Sequence, residues 1–111
     1  MTYTTPTLQL LAHAAELCAM RQSVYAANIA NAAADAYRRL EVTFDRQLER
    51  FALAAGSPAP QTASVVQTDA AVQLDQEMAL MAQNALRYQT LVGAFEGTMR
   101  MMQSAIREGR E

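Results

Sequence analysis

The chain has no tryptophan, no lysine, a single cysteine and a single histidine. With Cys18 alone, no disulfide can form within the chain. With His13 alone, there is no two-histidine metal site and no thiol–imidazole dyad oriented by a second imidazole. His13 and Cys18 stand five positions apart, on different faces of a helix, and read as a surface imidazole and a core thiol. Aromatic residues make up only 6% of the chain, too few to build stacking platforms for bases. The nine basic residues, all Arg, gather into no stripe or arm, and the net charge is −2, so nucleic acid is not an expected partner. Glycine-rich phosphate loops, CxxC, HExxH and GxSxG are all missing, so no catalytic residues, cofactor or metal are expected. Asp75 and Glu77 read as complements to a helix dipole rather than as a catalytic pair. No run reaches the ~18 apolar residues of a membrane span. Met1–Thr7 carries no Arg or Lys and leads into no apolar block, so a cleaved secretory leader is not expected.

What remains is rich in Ala and Met. Ala favours helix but fills little volume, so 111 residues of this make-up predict one domain with a thin core and a need for partners. Leu74, Met78, Met81, Ala85, Tyr88, Val92, Phe95, Met99, Met102 and Ile106 follow one another at alternating steps of four and three. That is an unbroken heptad seam, with polar residues such as Gln76, Glu77, Gln83, Asn84 and Arg87 between its members. A helix of about 33 residues is roughly 50 Å long, and one apolar seam of that length requires a partner helix of similar length. The N-terminal segment carries a matching stripe: Leu8, Leu11, Ala15, Cys18, Gln22, Tyr25, Ile29 and Ala32. Thr5 and Pro6 form a helix start, and the helix is expected over about 7–33. The two helices are each other's mates, in one molecule or between neighbours.

Between them, Tyr37, Leu40, Phe44, Leu48 and Phe51 fit a helical face, while Leu40, Val42 and Phe44 alternate as a strand would. A short helix over about 43–55 is favoured, residues 37–43 are left undecided, and Asp35 and Arg39 are spaced as an i,i+4 pair. Gly56, Pro58 and Pro60 mark a linker over about 54–71, in which Ser64–Thr68 is read as loop before strand. Thr68, Asp69 or Asp75 is the expected cap of the last helix, and Gly109 its terminator. The expected fold is therefore all-α: long N- and C-terminal helices packed as a coiled-coil-like hairpin, a short middle helix and a Pro/Gly-containing linker.

Three features exceed simple packing. Met78, Met81, Met99, Met101 and Met102 form either core filling or a pliable groove. Gly93 and Gly97, four apart in mid-helix, cost roughly 1 kcal/mol each against Ala and suggest a close helix crossing or a bend under assembly. Asn28 and Asn31 fall on one helix face, either solvated or locking onto another subunit or the following turn.

Residues 21–32, Arg-Gln-Ser-Val-Tyr-Ala-Ala-Asn-Ile-Ala-Asn-Ala, resemble the N-terminal signature of the flagellar rod, hook and hook-filament proteins, whose core is Asn-Ile-Ala-Asn. In that family Thr-Pro-Gly-Tyr commonly follows; here Ala33-Ala34-Asp35-Ala36-Tyr37 stands in its place and only the Tyr is kept. Helix one is thereby free to run on past Asn31 or to bend differently. Residues 72–89, from Val72 through Asp75-Gln76-Glu77-Met78 to Asn84-Ala85-Leu86-Arg87-Tyr88-Gln89, resemble the C-terminal block of the family's proximal rod branch. Phe44 and Met102–Ile106 also fit, while the linker is unmatched.

The resemblance implies a structural subunit of the bacterial flagellar basal-body rod in the periplasm. It implies export through the flagellar export apparatus, with residues 1–7 as an uncleaved, disordered segment and 8–111 as one helical axial domain. Expected partners are copies of the chain, other rod proteins and the adaptor joining rod to membrane ring. The expected assembly interface is Leu8, Leu11, Ala15, Tyr25, Asn28, Ile29 and Asn31 on helix one, with Leu74, Met78, Met81, Asn84, Ala85, Tyr88, Val92, Phe95, Met99, Met102 and Ile106 on the last helix. The alternative is a small secreted helical hairpin that dimerises as a four-helix bundle. A bundle enclosing a ligand or cofactor is the remaining rival.

Overall fold

The computed structural model describes residues 6–44 and 63–109. Its elements are α1 (Pro6–Ala30), β1 (Leu40–Phe44), β2 (Ala63–Gln67) and α2 (Leu74–Glu108). The chain is mostly helical, and the two long helices pack on each other. They run antiparallel: Asn28 near the end of α1 meets Glu77 at the start of α2, and Cys18 meets Asn84. At the far end Leu8 shares a groove with Phe95, Met102 and Ile106. The hairpin thus closes within one chain.

The all-α expectation is met only coarsely, because β1 and β2 form a two-stranded antiparallel ribbon with Leu40 opposite Gln67 and Phe44 opposite Ala63. The alternation of Leu40, Val42 and Phe44 therefore prevails over the helical reading at Thr43 and Phe44. Ser64–Gln67 is strand, not loop, since two short β-branched runs satisfy each other's backbone where one alone could not. The pairing continues past the ladder, with Thr68 N–H donating to Arg39 O at 2.9 Å and Arg39 N–H to Ala70 O at 2.8 Å. The rest of the expected middle helix, 45–55, and of the linker, 54–62, lies outside the described residues.

Pro6 is the first helical residue, so Pro6 and Thr7 belong to α1 and not to a disordered leader. Residues 1–5 lie outside the described residues. Helix α1 ends at Ala30, three residues sooner than expected. Asn31 ends it by turning its side chain back, Nδ2 donating to Ala27 O at 2.8 Å. A turn follows through residues 31–36, and Ala36 takes a φ of 66°, the left-handed region that favours glycine. Ala36 stands directly before Tyr37, where the resembled motif has its Gly. The turn is therefore made without a glycine at its left-handed position, at a strain of about 1 kcal/mol. Asp35 and Arg39 sit in this turn and the segment after it, so they make no helical pair.

The expected caps of α2 are also corrected. Gln73 occupies the cap position and makes no side-chain cap bond. Thr68 Oγ1 donates instead to Arg39 O at 2.8 Å and accepts from Ala70 N–H, which ties down the approach to the helix. Gly109 closes the other end with an ordinary helical φ of −68°.

The core is thin. Among the described residues the fully buried apolar side chains are Leu8, Cys18 and Val24. The hairpin is 15 Å across its narrowest direction, little more than one helix with its side chains. A single layer leaves each helix one sheltered face.

Candidate assembly interface

The sheltered face of α1 follows the stripe read from the sequence only in part. Leu8 and Cys18 are buried and Leu11, Ala15, Gln22, Tyr25 and Ile29 half-buried, but beyond Cys18 the buried residues are Val24 and Asn28, one position off the stripe. The sheltered face of α2 is turned from the apolar seam toward a polar pair. Glu77 and Asn84 are 1% and 3% exposed, while the seam residues directly after them differ: Met78 is 56% exposed and Ala85 half-buried. Met81, Val92, Phe95, Met102 and Ile106 remain half-buried, and Leu74, Tyr88 and Met99 stand exposed. The seam is wider than α1 can cover.

Two polar clusters cause the turn. Asn28, completely buried, donates from Nδ2 to Leu40 O at 3.0 Å and to Glu77 Oε2 at 3.1 Å. Its Oδ1 accepts from Leu40 N–H at 2.9 Å and from Tyr37 Oη–H at 3.0 Å. One side chain thereby joins α1, the turn, the ribbon and α2. Glu77 Oε1 receives Arg39 Nε, and Arg39 Nη1 also donates to Glu41 at 3.0 Å. Burial works against the Arg39 charge, but the Glu77 and Glu41 carboxylates outweigh it and hold the guanidinium above its ordinary pKa. In the second cluster, Asn84 Nδ2 donates to Cys18 O at 2.7 Å and Gln22 Oε1 at 2.8 Å. Its buried Oδ1 has no partner among the described residues. Unpaired polar groups are costly when buried, so these clusters fix the rotation and register of the two helices.

Of the expected interface, Asn28 therefore works inside the subunit, on the following turn, and Asn84 lies in the helix contact. Asn31 is exposed and bonded to its own helix. Glu77, Arg39, Tyr37 and Gln22 were not singled out as a site by sequence. Polar residues on a helix read as its wet face, and only the Asn28 spacing hinted otherwise.

Beside the uncovered seam a groove of about 520 Å³ runs between the helices, lined by Ala19, Ser23 and Ala26 on α1 and by Asn84, Ala85, Tyr88 and Gln89 on α2. A second groove of about 510 Å³, with Phe95, Met99, Met102 and Ile106 in its wall, lies toward the ends of the hairpin. A Cβ built on Gly93 or Gly97 would meet no atom within 4 Å, so neither glycine serves a close crossing within the subunit. His13 is exposed, 3.8 Å from Glu16. Among the described residues no group of three His, Cys, Asp or Glu could hold a metal ion, and no helix is long and apolar enough to cross a membrane. No model of a known protein family matches the chain, and no match was found among curated proteins.

Proposed function

We propose that the chain is a structural subunit of the bacterial flagellar basal-body rod, of the kind of the proximal rod protein FlgB, acting in the periplasm by packing its helical hairpin against other hairpins. The observation that carries the reading is the uncovered flank of α2, where Leu74, Met78, Tyr88 and Met99 lie in one row along a long, rigid helix. A flank of this length is costly to leave in water and suits another long helix. The motifs at 21–32 and 72–89 supply the rest. Asn28 and Glu77, which fall within them, are the residues that set the hairpin's geometry.

The work of such a subunit is mechanical. Torque passes through many shallow Ala and Met contacts, each weak and collectively stiff. Copies of the chain, other rod proteins and the rod-to-ring adaptor are the proposed neighbours, and the flagellar export apparatus the route out of the cell. The same flank would also serve a closed four-helix dimer, and the dimer remains the second reading. Deleting the gene in its host and scoring motility and basal-body assembly tests the proposal. Loss of both, restored by the intact gene, is expected; motile cells with complete basal bodies would refute it.

A further inference from the structure

Three of the nine arginines meet at one cleft of about 250 Å³: Arg21 from α1, Arg39 from the residue before β1, and Arg87 from α2. Tyr25 and Glu41 share its lining. The Arg39 charge is met by the Glu41 and Glu77 carboxylates, so the cationic character of the cleft centres on Arg87, with Arg21 beside it. Arg39 is held by Glu77 and Glu41, and Arg21 is engaged within the subunit. Arg87 is exposed and has no ion pair or hydrogen bond among the described residues. The Arg39 fork is thus held in place, and that of Arg87 is left to close on something.

We propose that this cleft binds a small oxyanion, a carboxylate or phosphate group, gripped between Arg87 and Arg21, with the Tyr25 hydroxyl as a further donor. Planar guanidinium forks match the paired oxygens of such groups, and charge-assisted bonds of this kind are the stronger ones. The volume falls below the ~300–1,000 Å³ of sites for drug-sized ligands, so it suits one anionic group and not a nucleotide. The group is either free in solution or carried on an acidic side chain of a second copy. The cleft lies within one subunit, so it is present whichever assembly the subunit enters.

The test titrates inorganic phosphate into the full chain at constant ionic strength, with chloride exchanged, followed by calorimetry and sedimentation. Saturable binding is expected, weakened about tenfold or more in Arg87→Gln and less in Arg87→Lys, which keeps the charge but not the fork. Arg87 is exposed, so an unchanged circular dichroism spectrum will verify that both variants fold. Phosphate that binds without altering sedimentation supports a free anion; phosphate that dissociates oligomers supports a carboxylate from a second copy. No phosphate binding, or binding equal in wild type and Arg87→Gln, overturns the proposal.

Discussion

Both backbone polar groups of Leu40 are held by one side chain, that of Asn28, which donates to the carbonyl at 3.0 Å and accepts from the N–H at 2.9 Å. Asn28 does for the ribbon's edge what a neighbouring strand would do. Replacing it with Ala strands Leu40 and removes a bond from Glu77 and another from Tyr37. Asn28→Ala is expected to lower stability by about 3 kcal/mol, read by denaturant unfolding. Asn28→Asp is expected to do no better, since it loses the donor and sets a second carboxylate beside Glu77. A loss under ~1 kcal/mol for Asn28→Ala would show that the joint is not needed.

Glu77 and Arg39 should behave as one unit. Glu77→Ala leaves a guanidinium only 18% exposed without its main partner, and a loss of about 3 kcal/mol is expected. In a double-mutant cycle with Arg39→Ala, the coupling is expected to exceed ~1 kcal/mol; strict additivity would deny the pairing. The raised pKa of Arg39 means that its share of stability is fully present below the ordinary arginine value and is lost only as pH rises through the raised one. Arg39 therefore contributes no pH dependence at physiological pH.

Ala36 holds a φ of 66° that glycine adopts freely. Ala36→Gly is expected to relieve strain worth about 1 kcal/mol, offset in part by the greater freedom glycine gives the unfolded chain. The measurement is the thermal midpoint, expected to rise. A fall would mean that the left-handed turn is not the dominant conformation.

Gly93 and Gly97 have open space where a Cβ would go. Alanine at either position is expected to stabilise the isolated chain by about 0.5–1 kcal/mol through helix propensity alone. If a neighbouring helix crosses there, the same substitutions should weaken self-association. Stabilisation with unchanged association would remove the glycines from the interface.

Met78 and Tyr88 are 56% and 42% exposed, so an aspartate at either leaves the subunit's own core intact. Met78→Asp and Tyr88→Asp are expected to keep the helical circular dichroism spectrum while abolishing assembly, because a charge would be buried there without a partner. Met81→Asp, at a half-buried position, should damage the fold as well.

The hairpin was legible because heptad spacing of Leu8, Leu11, Ala15, Cys18 and Tyr25 is a direct imprint of one sheltered face. The rotation of α2 was not. Periodicity counts apolar residues, and here Glu77 and Asn84 take inner positions because their partners lie on distant segments, Arg39 and Asn28 for one and Cys18 and Gln22 for the other. The ribbon was half legible: Leu40, Val42 and Phe44 alternate, but Ser64–Gln67 becomes a strand only through a partner many residues away. Asn28 was visible as a costly residue on an apolar helix; the turn it holds was one of three readings, beside solvation and a lock onto another subunit.

Sedimentation velocity of the full chain at rising concentration decides whether this hairpin is a unit of an open assembly. Species of steadily increasing size, with no preferred end point, are expected. A fixed dimer, or a monomer at every concentration, would contradict it.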